Sequence, residues 1–187
     1  MKTTITFAGV IPPIVTPLTD EGIDAEGLDR LIEHVIAGGV HGIFVLGTTG
    51  EGPSLSMAEK YSLIEHACAS VRGRVPILAG ITDTSFSASV SLAEHAALHG
   101  AAAVVAAPPY YMPPSQPELL DYFERLAPRL PLPLFIYNMP AMTKVSIDID
   151  TVKRIAAVPN VIGIKDSACS MISLHELILA FGERFPV

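Results

Sequence analysis

The sequence predicts an α/β protein built on a parallel sheet covered by helices, and three observations carry that prediction. Short apolar strands and amphipathic helices alternate six times along the chain, at a spacing of about 30 residues. The strands are apolar on both faces, as strands buried between helix layers must be. The polar and conformationally unusual residues follow the second, fourth, fifth and sixth strands, at one end of the sheet. Both an open doubly wound sheet and a closed barrel meet the first two observations. The third favours the barrel, as does the lack of a G-x-G-x-x-G after the first strand. An eight-stranded barrel usually takes about 250 residues. The 187 residues are therefore expected to form one (β/α)8 barrel domain of the TIM type, over residues 1–187, with about six of its eight βα units present.

The elements follow in order. Residues 9–16 form the first expected strand, although Pro12 and Pro13 cannot donate to a ladder. Asp24 is placed as an N-cap, and Leu28, Leu31, Ile32, Val35 and Ile36 recur at helical spacing until Gly38-Gly39 closes the helix. The second strand, 41–46, runs into the glycine-rich turn Gly47-Thr48-Thr49-Gly50-Glu51-Gly52. Ser56 with Glu59 is a capping box opening a helix to about Val71. Strand three spans 75–80 and is followed by a helix over about 87–99. Strand four, 102–107, leads to a proline-rich loop with Tyr110-Tyr111, and Ser115 with Glu118 caps the next helix. Strand five covers 132–137, Asp148 caps the helix holding Val152 and Ile155, strand six covers 161–166, and a last helix spans about 171–181. Residues 184–187, Arg-Phe-Pro-Val, echo the Arg-Val-Pro-Ile that enters strand three and are expected to begin a further strand. The first and sixth strands would then be open sheet edges.

Composition narrows the function classes. A net charge of −7 without a Lys/Arg cluster argues against nucleic acid and anionic membrane as partners. No apolar leader precedes Pro12, and the apolar run 101–107 is too short to span a bilayer, so a soluble cytoplasmic protein is expected. Cys68 and Cys169 match no metal spacing and are read as free thiols. His95 and His99 lie four apart on one helix but not as H-E-x-x-H, and no metal and no cofactor is expected.

The chemistry centres on Val161-Ile162-Gly163-Ile164-Lys165-Asp166, an apolar strand that ends in a lysine. Burial disfavours an ammonium and makes a lysine a better amine nucleophile toward carbonyls. On its own the segment also fits a lysine that snorkels to water. Tyr137 ends strand five as Lys165 ends strand six, and a phenol beside an amine can move protons in imine chemistry. The turn after strand two offers backbone N–H groups and the hydroxyls of Thr48 and Thr49 to an anion.

Gly47-Thr48-Thr49-Gly50-Glu51, Pro109-Tyr110-Tyr111, Tyr137-Asn138-Met139-Pro140 and Gly163-Ile164-Lys165-Asp166 occur in the order and rough spacing of one family. From Gly9 on, the chain resembles the dihydrodipicolinate synthase / N-acetylneuraminate lyase family. The resemblance implies a (β/α) barrel in which Lys165 forms a Schiff base with pyruvate or the pyruvoyl end of a 2-keto acid. It implies that Tyr137 is the general acid/base, and that Gly47, Thr48 and Thr49 hold the keto-acid carboxylate, with Thr48 in the proton relay. It implies that Tyr111 is lent across a dimer interface to complete the relay, in a tetramer built as a dimer of dimers. No cofactor or metal is implied.

One departure bears on the second substrate. In the synthases an arginine normally stands two residues past the proline of the Y-N-x-P segment, whereas this chain has Met142 there. A neutral side chain cannot replace a bidentate carboxylate clamp. The resemblance therefore points to members that cleave 2-keto-3-deoxy sugar acids. The alternatives are 4-hydroxy-tetrahydrodipicolinate synthase, joining pyruvate to aspartate semialdehyde, and an inactive barrel fragment.

Overall fold

The computed structural model of the chain describes residues 7–182 and 185–187. Residues 1–5, read above for a leader, and Arg184 lie outside the described residues. The chain divides into two compact units. One comprises residues up to Ile81 with Ser91–Val104, the other Thr82–Val90 with Val105–Val187.

In the first unit a two-residue hairpin, β1 (Leu18–Thr19) with β2 (Gly22–Ile23), precedes helix α1 (Ala25–Ala37). Asp24 caps α1 as expected, its carboxylate accepting the Gly27 N–H at 2.9 Å. Leu28 and Ile32 turn one helical face fully inward. Strand β3 (Ile43–Val45) pairs in parallel with β4 (Ile77–Gly80), Ile43 opposite Ile77 and Val45 opposite Ala79. Helix α2 (Met57–Val71) opens on the expected capping box, with Ser56 N–H donating to Glu59 at 2.7 Å. Its Leu63, Ile64 and Ala67 join Ile43 and Leu28 in the core. Helix α3 (Phe86–Leu98) contributes its later turns to this unit, and strand β5 (Ala103–Ala106) begins in it, next to β4.

Residues 9–16, expected as a strand, are not one. Pro12 and Pro13 have no N–H to give, and among the described residues the segment's ladder position is a parallel bridge from Pro13 to Phe44. The carbonyls still bond: Val10 O accepts from His41 N at 2.8 Å and Pro12 O from Phe44 N at 3.0 Å. The segment thus lies along β3 without forming a regular strand.

The second unit carries the rest of β5, then helix α4 (Gln116–Leu126), strand β6 (Leu134–Asn138), helices α5 (Pro140–Thr143) and α6 (Ile149–Ile155), strand β7 (Val161–Asp166) and helix α7 (Met171–Phe181). Strand order is β5-β6-β7, with β6 and β7 parallel. Leu119, Phe123, Leu126, Leu134, Ile136 and Ile155 are completely buried. Asn160, in a left-handed conformation (φ 76°), fixes the start of both strands. Its side-chain amide donates to the carbonyls of Ala127, Leu130 and Leu132, while its own carbonyl accepts the Leu134 N–H at 2.8 Å. The edge of β7 expected to be open is met, among the described residues, where Ile164 N donates to Pro186 O at 2.8 Å. Among the described residues, no helix is long and apolar enough to cross a membrane.

Candidate active site

The lysine end of the site is set by strand register. Tyr137 stands opposite Lys165 and Asn138 opposite Asp166 on parallel strands. Directly paired residues share a face of the sheet, so the phenol ring and the amine project together. Lys165 Nζ lies 3.7 Å from the centroid of the Tyr137 ring and donates to Ser167 Oγ at 2.9 Å. Tyr137 is buried and Lys165 half-buried. Two residues back on the same face, Gly163 leaves room for the Phe135 ring, which a Cβ there would meet at 2.3 Å.

Asn138 ties the two strand ends together. It is 2% exposed. Its side-chain N–H donates to Asp166 Oδ1 at 2.7 Å, its side-chain oxygen accepts the Ile147 N–H at 3.0 Å, and its backbone carbonyl accepts the Ser167 N–H at 2.8 Å. Asn138, Asp166 and Ser167 were given no role by the sequence reading. A signal for the first two was present: Tyr-Asn and Lys-Asp end successive parallel strands.

The tyrosine loop belongs to the same unit. Tyr110 is half-buried, and burial, with the Asp83 carboxylate second, pushes its phenol above the usual range and keeps it protonated. Tyr111 is 92% exposed and adopts a left-handed backbone (φ 79°), a conformation that costs a non-glycine residue about 1–3 kcal/mol. Met142 is exposed on the four-residue helix α5, and Lys144 donates to Ala141 O at 2.7 Å.

Gly47, Thr48 and Thr49 are carried by the first unit, where the chain leaves β3. The turn begins at Leu46, which is left-handed at φ 59°. Its carbonyl passes so close to Gly52 and Gly80 that a Cβ would lie 2.5 Å and 2.3 Å from it, respectively. Glycine at both positions is what lets the backbone turn here. Glu51 N closes on Thr48 O at 3.1 Å, and Thr16 Oγ1 donates to Gly50 O at 2.7 Å from below. Gly47 is buried and both threonines are exposed. The turn passes through a short 3-10 segment, Gly52–Ser54, before α2 starts.

Residues 6–187 match the model of the dihydrodipicolinate synthetase family. A 4-hydroxy-tetrahydrodipicolinate synthase of Sorangium cellulosum is 39% identical over 184 residues, covering 97% of this chain and 61% of the relative. The solved dihydrodipicolinate synthase of Bacteroides thetaiotaomicron is 52% identical with a TM-score of 0.92, covering 98% of this chain and 62% of that one. YagE, a prophage protein of Escherichia coli K12 in the dihydrodipicolinic acid synthase family, was solved with pyruvate. It is 34% identical with a TM-score of 0.92, over 98% of this chain and 63% of its own. The chain thus spans about three fifths of the length of these relatives. The likeness places its βα succession in the (β/α)8 barrel class, with part of the barrel present. On the family match across nearly all its residues, the chain belongs to the dihydrodipicolinate synthetase family.

Proposed function

We propose that the chain carries the imine-forming part of a pyruvate-dependent lyase of the class I aldolase type, with Lys165 as the nucleophile. The supporting observation is the register pairing of Lys165 with Tyr137, which holds the amine 3.7 Å from the phenol ring centroid. The neutral amine adds to the keto carbon of pyruvate, and loss of water leaves an iminium on Nζ. That cation takes up the electron pair when a proton leaves the methyl carbon, so no bare enolate forms. Tyr137 moves protons at the departing oxygen. Gly47, Thr48 and Thr49 hold the keto-acid carboxylate, which orients the carbonyl for attack. Tyr111, exposed on its loop, joins the proton relay from a neighbouring copy in a dimer of dimers in the cytoplasm.

For the second substrate, condensation with aspartate semialdehyde is the better supported choice, because the curated relatives carry the synthase name over most of this chain. Cleavage of a 2-keto-3-deoxy sugar acid is the second reading, and Met142 at the expected arginine position favours it. The test is reduction with borohydride in the presence of pyruvate. A pyruvate adduct on Lys165, absent in Lys165→Arg, is expected, and an adduct elsewhere or none on the folded protein refutes the assignment. Turnover with aspartate semialdehyde against 2-keto-3-deoxygluconate then separates the two substrates.

A further inference from the structure

Far in sequence from the catalytic lysine, three metal-ligating side chains meet on the helices of the first unit. His95 lies on the last turn of α3 and His99 just past its end, four residues on and so on the same helical face. Glu65 comes from α2. One ligand atom of each can be chosen so that all three lie within 4.8 Å of one another. Glu65 is exposed and both histidines are half-buried.

His95 is already held in place. Its Nε2 stands 3.2 Å from the Tyr61 carbonyl, which can only accept, so this nitrogen donates, and in the neutral ring Nδ1 is the nitrogen left to bind a cation. Its ring centroid lies 4.5 Å from that of Tyr61 and 4.4 Å from that of His99. An imidazole whose second nitrogen donates to a carbonyl is the usual support of a metal-binding histidine, because it fixes both tautomer and ring plane. Two neutral imidazoles and one carboxylate suit zinc, copper or nickel and leave a coordination position for water.

We propose that Glu65, His95 and His99 form a binding site for a divalent transition-metal cation of the zinc class. Ligands bound at about 2.0–2.2 Å around a tetrahedral ion stand about 3.4 Å apart, so separations of up to 4.8 Å close by at most about 1.4 Å on binding. The exposed Glu65 side chain is free to supply that movement. Cys68, one turn beyond Glu65 on α2, is not among the groups whose ligand atoms lie within 4.8 Å of one another.

The test titrates Zn²⁺ into the metal-stripped chain against a chromophoric chelator and repeats the titration with Co²⁺. One site per chain in the micromolar range is expected, with a d–d spectrum free of thiolate charge transfer. His99→Ala and Glu65→Gln are each expected to weaken it about tenfold or more, since loss of even a supporting partner typically costs that much. His95→Ala is expected to do the same, with folding checked by circular dichroism because its ring packs on Tyr61. His34→Ala, on α1, is expected to change nothing. Saturating Zn²⁺ should raise the melting temperature of the wild type and not of His99→Ala. Unchanged zinc affinity in His99→Ala and Glu65→Gln, a thiolate-to-cobalt band, or equal loss in His34→Ala overturns the proposal.

Discussion

Asn138→Ala probes the geometry of the lysine end most directly. The substitution deletes two hydrogen bonds from a side chain that is 2% exposed. The Ile147 N–H is left without its partner next to a buried side chain, at a cost of about 1–3 kcal/mol. The bond to the Asp166 carboxylate contributes about 1.5–3 kcal/mol, and the lower end applies because half-buried Asp166 can turn to water. Together the loss is about 3 kcal/mol. For a chain of this size that is a fall of about 6–12 °C in melting temperature. Urea unfolding should show a lower midpoint with an unchanged slope. Because Asn138 also aligns Tyr137 with Lys165, pyruvate-dependent borohydride trapping at Lys165 should slow by about tenfold or more; an ångström of misplacement can cost about a hundredfold. Asn138→Asp keeps the shape but sets a second carboxylate against Asp166, and should be at least as damaging. A stability change within about 0.5 kcal/mol, with trapping unaltered, would show that the strand ends are held by something other than this amide.

Two further outcomes are expected. Gly80→Ala places a Cβ 2.3 Å from the Leu46 carbonyl. It should destabilise the chain by about 1–3 kcal/mol in denaturant titrations, and a neutral result would contradict the packing of the threonine turn. Cys68 is raised from 9.0 to about 11 by burial, whereas Cys169 is exposed. A disulfide reagent at pH 8 should therefore titrate exposed Cys169 first and half-buried Cys68 much more slowly, with the difference abolished on unfolding. Because the folded value lies above the unfolded one, the folded state favours the protonated thiol. The stability this contributes is whole below about pH 9 and lost as pH rises through about 11, measurable as a falling unfolding midpoint.

Most of the architecture was legible because its signals are periodic or punctuated. Apolar runs marked β3 to β7, and Asp24 and the Ser56–Glu59 box marked helix starts that the structure confirms. What escaped was too short to show a period. The β1–β2 hairpin has two residues per strand, and α5 has four. Residues 9–16 misled because their apolar run reads as a strand while Pro12 and Pro13 cannot donate to one. At the site, Lys165 and Tyr137 stood out as polar residues ending apolar strands, and register brings them together. Asn138 did not stand out, since its role lies in three hydrogen bonds to residues 9, 28 and 29 positions away.

The pairing of β6 with β7 contains one irregularity, and its arithmetic decides whether Lys165 and Tyr137 share a face of the sheet. Leu134 is opposite Val161, but Phe135 is opposite Gly163, so Ile162 is passed over. Had the ladder run unbroken, Tyr137 would stand opposite Ile164, and Lys165 would point to the face opposite that of Tyr137. Side chains alternate with a period of two, so a single skipped residue inverts the parity of everything after it. Deleting Ile162 would remove the irregularity and keep Tyr137 opposite Lys165, whereas an unbroken ladder that retained Ile162 would set the amine and the phenol on opposite faces. For this segment, the skipped residue is what keeps the pair together.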